Sequence, residues 1–402
     1  MLVKKIKTMR IQLLSFASLT TITALTACAS SLPEAPAVPT TPADTFRQLA
    51  VGQVPHGMAA TTRFVYNSNI GDNTLSVIDT ARDEVIKTLK MDAEPGYSQT
   101  SHDGQYVLVV DGEGYLNIFA PAQDHQRVQR VRVGRSVDEF AIAPDDKTIY
   151  VSLTAEARVA QLNFENGLAA PPEPRLLRAA GPGTPDGSGH RALAYSSGWL
   201  LTPNPGDNTS SLIPPQGDSL TLSDGNAPTA VAFGIQHVNK ENLKEEHVMR
   251  AIVGHSASHT VTLFDTTGNK TASFNDVGQT PTDMVTVPEL GRAYVTMTGS
   301  NQVTVIDYVN DKVVGTIKTQ QRPVHIYRAP ALTSSTDNAK NEPATEIWVG
   351  NDGGASVTVF DASTLEIIAH HKTGEGHHKM AFSQNKVYVS NIKDHTVTVI
   401  PR

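Results

Sequence analysis

Four separated stretches of this 402-residue chain read alike: NIGDNTLSVID (69–79), TGSNQVTVID (298–307), NDGGASVTVFD (351–361) and NIKDHTVTVI (391–400). In each, a polar turn leads into alternating small and apolar residues, the period-two pattern of a strand with one face buried. A strand precedes the motif, as in Phe64-Val65-Tyr66-Asn67, Ala293-Tyr294-Val295-Thr296 and Val387-Tyr388-Val389-Ser390. Another follows the first three, as in Val85-Ile86-Lys87-Thr88-Leu89 and Val313-Val314-Gly315-Thr316-Ile317. A further mark, Pro or a substitute followed by two variable residues and an apolar stretch, begins at Pro55, Pro95, Val137, His190, Pro228, Pro281, Pro323 and His377. Its intervals of 40, 42, 53, 38, 53, 42 and 54 residues define eight units of four short strands. Each unit can bury its sheet faces only against neighbouring copies, so the repeat demands an array.

The two ends decide what kind of array. The last unit stops at Ile400 after three strands, whereas residues 46–52 (FRQLAVG) precede the first unit and read as the missing fourth strand. Pairing that segment onto the last unit closes a ring and removes the exposed sheet edge. The expected fold is all-β, an eight-bladed β-propeller formed by residues 46–402. Seven blades remains open, because the fourth unit (190–223) is short and poor in apolar residues. The quoted motifs resemble the YVTN family of propeller repeats over nearly all of the chain after residue 45, a likeness that bears on fold and hardly on function. Three intervals are long. Their extra residues fall in a Pro/Gly-rich loop (165–189), a segment with the composition of a short helix (235–247) and a polar loop (330–344).

Lys4, Lys5, Lys7 and Arg10 form a basic head before an uncharged apolar run from Ile11 to Ala27, the layout of an export signal. The run ends in Leu25-Thr26-Ala27-Cys28, which resembles the lipobox of bacterial lipoproteins. That resemblance implies cleavage after residue 27 and lipidation of Cys28, the only cysteine, with two acyl chains to hold the protein on a bilayer. Ala29 and Ser30 follow rather than Asp, which by the family's rules implies the outer membrane, facing the periplasm. Residues 28–45 are Pro, Ala, Ser and Thr with few large apolar side chains, and form a tether. The formal charge of −7 falls to −11 once the leader's four basic residues go. Such a surface disfavours nucleic acid as a partner; a membrane anchor, a metal-transport or envelope protein as partner, and a monomeric ring are expected.

No phosphate-binding loop, H-E-x-x-H motif, cysteine pair or EF-hand spacing occurs. Gly254-His255-Ser256-Ala257-Ser258 lacks the final glycine of a nucleophile elbow and lies between two strands, so no catalytic residue is assigned. Histidine is more informative. In a propeller, the loops leading into the inner strand and those joining strands two and three share one face. The first class carries His56, His190, His325, His377 and His378, and the second His255, His259 and His395, so eight of the 14 histidines fall there. Closure of the ring brings His56 beside His377 and His378, with His325 one blade away. Carboxylates at Asp138, Glu139 or Asp283 across the channel would complete a borderline donor set, which suits zinc. Copper is next, since Met58 and Met380 lie close by, although both occupy apolar strand positions. Polar lining without any ligand explains the same residues, because channel mouths hold polar groups and water in any case.

Two further resemblances bear on these residues. The chain is similar in size, compartment and channel-side histidines to periplasmic propellers that act as zinc chaperones beside zinc importers; that likeness implies metal binding at His56, His325, His377 and His378. The His-rich acidic loop common in such chaperones is absent. The chain also resembles the d-type haem propellers of nitrite reductase, which implies a tetrapyrrole held through His190 and Arg191, although no cytochrome c motif occurs. The expectation is a non-enzymatic metal-binding lipoprotein, a metallochaperone; the alternatives are a protein- or envelope-binding scaffold and a tetrapyrrole-binding propeller.

Overall fold

A computed structural model describes residues 46–181, 192–223, 225–238, 246–331, 345–383 and 385–402. Cys28, the leader, the tether, His190 and Arg191 lie outside these residues. The described chain folds into eight four-stranded antiparallel sheets, an eight-bladed β-propeller. The inner strands are Pro55–Ala60, Pro95–Thr100, Val137–Ile142, Ala194–Ser196, Pro228–Val238, Pro281–Val287, Pro323–Arg328 and His377–Ser383, in blades 1 to 8. Arg47–Ala50 pairs with Thr396–Pro401 as the outer strand of blade 8, so both chain ends share one sheet. Among the described residues no helix is long and apolar enough to cross a membrane.

Every blade-to-blade contact has its own apolar cluster, the 8/1 junction included, where Leu49, Met58, Val65, Ile78, Tyr388 and Val397 pack together. The thinnest lies between blades 3 and 4, where Ala143, Tyr150, Val159, Leu200 and Ile213 are its buried members. This is where the sequence is poorest in apolar residues, and blade 4 is nonetheless a complete sheet.

Strands two and three do not have the single buried face that their alternation suggests. Thr74–Asp79, for example, is buried along nearly its whole length, because a neighbouring blade covers each side. The small polar residues of the motif are accommodated by one recurrent bond. An asparagine ending strand two donates its amide to a hydroxyl in strand three: Asn69 to Ser76 (3.0 Å), Asn204 to Ser211 (2.9 Å), Asn351 to Thr358 (3.0 Å) and Asn391 to Thr398 (2.9 Å). A buried hydroxyl is tolerable only when so satisfied.

In blades 1, 6 and 8 a tyrosine of strand two ties the blade to the next. Tyr66 bonds the His125 ring (2.5 Å), Tyr294 donates to the Ala362 carbonyl (2.5 Å), and Tyr388 donates to Asp83 (2.6 Å), which also takes Lys386 Nζ (2.7 Å). The last pair spans the ring closure.

The 235–247 segment is not a helix where it is described. Residues 235–238 and 246–247 lengthen the first two strands of blade 5 into a hairpin, with Gln236 opposite Val248 and Val238 opposite Glu246. Residues 239–245, which carry both lysines of this segment, lie outside the described residues.

Candidate functional site at the channel mouth

A β-bulge sets the lining of the channel. In seven blades the register of the inner strand against strand two shifts just after its first residue, as between Pro55 and Met58, Val137 and Phe140, Pro281 and Met284, or His377 and Met380. A bulge leaves its residues unpaired and re-aims their side chains. The bulged positions carry His56, Tyr97, Asp138, Glu139, Asp283, His378 and Lys379, and His325 follows the bulge of blade 7, paired with Gly350.

Closure of the ring places the histidines of blades 7, 8 and 1 in a row. The His56 and His378 rings lie 3.8 Å apart, centroid to centroid, at 33°. His378 and His325 are 4.9 Å apart, and His325 and His377 6.4 Å. Asp283 Oδ2 is 3.3 Å from His325 Nδ1 and also accepts the Ile326 N–H. His377 occupies the position of the leading proline and packs against Gly350; a Cβ on that glycine would fall 1.8 Å from the imidazole. Neither ring nitrogen of His377, nor Nδ1 of His378, has a hydrogen-bond partner among the described residues.

Beneath this row Lys379 reaches from blade 8 toward blade 3, its Nζ 3.8 Å from Glu139 Oε1 and 5.5 Å from the centre of the Tyr97 ring. Burial alone would discharge the lysine, but Glu139, Asp283, Tyr97 and Asp138 outweigh it and raise its pKa. Burial raises Asp283 and the phenols of Tyr97 and Tyr327. It also lowers His377 to about 3, helped by the lysine charge. His378 is held well below its ordinary value by burial, then by His56, His325, Lys379 and His377. His377 and His378 are thus held as neutral imidazoles beside the Lys379–Glu139 ion pair.

His56, His325, His377, His378 and Asp283 therefore share one neighbourhood, whereas Glu139 and Asp138 face the lysine. Lys379, Tyr97 and Tyr327 escaped the sequence reading. Alignment of the units on the third residue of each inner strand would have found the first two. His255, His259 and His395 occupy other surroundings. His255 is buried at the end of strand two in blade 5. His259 Nδ1 accepts the Thr280 N–H and His395 Nδ1 accepts the Val54 N–H, both at 3.1 Å. In other blades asparagine makes this bond: Asn208 to Ala227 and Asn301 to Arg322, at 2.9 Å. Met58 and Met380 are buried in the core.

The residues present meet a metal halfway. Neutral imidazole is the ligand form, both nitrogens of His377 and Nδ1 of His378 have no hydrogen-bond partner among the described residues, and an Asp orienting a His is a common support for a metal ligand. Two imidazoles on one tetrahedral zinc have centroids about 5 Å apart, given Zn–N near 2.1 Å. The His325–His378 spacing agrees with that value and the His56–His378 stack is too close. Among the described residues no three His, Cys, Asp or Glu side chains form a group that could hold a metal ion as they stand.

No family model matches the chain, and no curated protein matches it. Solved structures do. The dihydro-heme d1 dehydrogenase NirN, in complex with DHE, aligns with a TM-score of 0.58 at 15% identity over 81% of this chain, which spans 66% of the length of that protein. Sqt1 of Chaetomium thermophilum, bound to the N-terminus of ribosomal protein L10, aligns at 0.69 with 12% identity, covering 88% of this chain and 98% of that one. A streptogramin B lyase aligns at 0.54 with 11% identity, covering 89% and 97%. At these identities the likeness is one of fold: the chain is a propeller scaffold, and its function lies in what that scaffold presents.

Proposed function

We propose that the channel mouth binds a divalent transition-metal ion, zinc foremost, and that the protein is a non-enzymatic carrier. In this reading it is exported, lipid-anchored at Cys28 on the outer membrane facing the periplasm, and passes its ion to a metal-transport partner. One observation carries the metal: His378, kept neutral, lies between the rings of His56 and His325 with a buried Nδ1 that has no hydrogen-bond partner among the described residues. His378 and His325 are the first ligands, Asp283 orients His325, and His56 joins by turning off its stack. An ion held by few ligands can be released again, as a carrier requires.

Titration of the chelator-stripped protein with zinc, read by calorimetry and elemental analysis, is the test. One equivalent is expected, with affinity at least about 100-fold weaker in His378→Ala and about 10- to 100-fold weaker in Asp283→Asn. Failure to retain zinc, or retention unchanged in His378→Ala, overturns the proposal and leaves a protein-binding scaffold. A tetrapyrrole is the second reading, since NirN is in complex with DHE and imidazole is an axial ligand of haem iron. A Soret band on addition of haem, lost with the mouth histidines, would favour it.

A further inference from the structure

The junction between blades 2 and 3 differs from the others in its turn and in its charge. In blades 4, 5, 6 and 8 the turn between strands two and three ends in a left-handed Asn or His whose side chain accepts an N–H of the next blade's lead-in loop (Asn208, His259, Asn301, His395), and in blades 3 and 7 it ends in the alanines Ala157 and Ala355. Blade 2 has Gly114 there instead, at φ +87°. A Cβ on Gly114 would lie 2.0 Å from the Gly134 carbonyl oxygen, so two backbone segments touch directly, joined by bonds from the Val133 and Gly134 N–H groups to the Gly114 carbonyl. The lead-in loop also differs chemically. Two residues before the inner strand the described loops carry Gln53, Ala93, Asn226, Gln279, Gln321 and Glu375, and here alone a cation, Arg135.

Arg135 lies in a cleft of about 550 Å³ with Arg132, Arg175, Gly134 and Glu156. Glu156 is committed to the fold: its Oε1 accepts the Arg135 N–H at 2.7 Å, as Asp72 and Asp394 do for Gln53 and Glu375. The arginines divide sharply. Arg127 and Arg130, on the outer strand of blade 2, pair with Asp92, and Arg130 also with Asp111 and Glu113. Arg132, on the same strand, stacks on the Tyr115 ring at 5.0 Å. Arg132, Arg135 and Arg175 have no carboxylate partner among the described residues, on a chain with seven more acidic than basic charges. Three guanidiniums on a rigid backbone floor form a fork-shaped donor array suited to oxyanions.

We propose that this cleft is an oxyanion site for a ligand with two or more negative charges, a phosphate monoester or diphosphate. Its location on the loop face puts it on the rim around the histidine mouth, but the site does not depend on any metal there. Inorganic pyrophosphate, titrated by calorimetry into the metal-free protein, is the probe. Saturable one-to-one binding is expected. It should weaken at least about tenfold in Arg132→Gln/Arg175→Gln, less in Arg132→Lys/Arg175→Lys, and stay unchanged in Arg328→Gln on blade 7. Absence of saturable binding, or an equal loss in Arg328→Gln, overturns the site as mere charge screening. Flotation with phosphatidic acid vesicles separates the sources of the phosphate. Association that pyrophosphate competes away assigns a lipid headgroup, and pyrophosphate binding without flotation assigns a soluble phosphate.

Discussion

Histidines occupy two regions on one face of this ring, and their surroundings could hardly differ more. On the rim turns, His259 and His395 stand where other blades have asparagine, each lending Nδ1 to a backbone N–H of the next blade. At the mouth, His56, His325, His377 and His378 sit on or beside β-bulges and their rings meet one another. Residue type is therefore a poor guide here; register within the repeat is a good one. A histidine that replaces the repeat's usual hydrogen-bonding residue continues its structural work. One placed where the repeat varies freely is available for binding.

The sharpest way to test this contrast is acid. His377 and His378 are neutral when folded because burial penalises the charged form. An unfolded histidine takes up a proton near pH 6.5, so below that value the unfolded state binds protons that the native state cannot. Their contribution is whole above pH 6.5 and is lost as pH falls toward about 3 for His377. Each such group costs about 1.4 kcal/mol per pH unit over that window. Urea unfolding of the metal-free protein at pH 7.0, 6.0 and 5.0 should show the fall, and His377→Asn should flatten its slope by about one proton. An unchanged slope would mean that the mouth histidines are hydrated and the neutral cluster is not real.

A smaller effect is expected on the rim. His395→Ala removes the acceptor for the Val54 N–H and should cost about 1 kcal/mol. His395→Asn should restore most of it, because asparagine already makes this bond in blades 4 and 6. Neither substitution should alter zinc stoichiometry. If asparagine fails to rescue, or if metal binding falls with it, the division between rim and mouth collapses.

Much of this arrangement is legible in the sequence, for physical reasons. Strands that pack only against copies of themselves must repeat, so the eight lead-in marks predict eight sheets, and the three-stranded end predicts closure by residues 46–52. Closure alone brings His56 to His378 across more than 300 residues. What stays hidden depends on three-dimensional context. The alternation of Thr and Val reads as one wet face and is in fact covered on both sides, because Asn69 and its equivalents satisfy the hydroxyls. Lys379 carries no mark of its own in the sequence, yet it falls in the bulge of blade 8 and its ammonium reaches Glu139. The helix composition of 235–247 gives no hint that residues 235–238 and 246–247 extend two paired strands.

The finest test concerns the strain that the rim contact holds in place. Val54 has φ of 53°, a left-handed conformation that a β-branched residue adopts at a cost of about 1–2 kcal/mol. Its N–H is held by His395 and its carbonyl accepts the Ile70 N–H at 3.1 Å, so both peptide groups are fixed from outside. The equivalent residue in blade 8 is Gly376, at φ 70°, which pays no Cβ penalty there. Val54→Gly should relieve the strain, offset in part by the extra freedom of the unfolded chain, for a net gain of about 0.5 kcal/mol in urea unfolding. The gain should shrink in a His395→Ala background, where the segment can relax without help, and a double-mutant cycle measures that coupling. A loss of stability instead would show that the valine methyl lying against Gly71 outweighs its backbone strain.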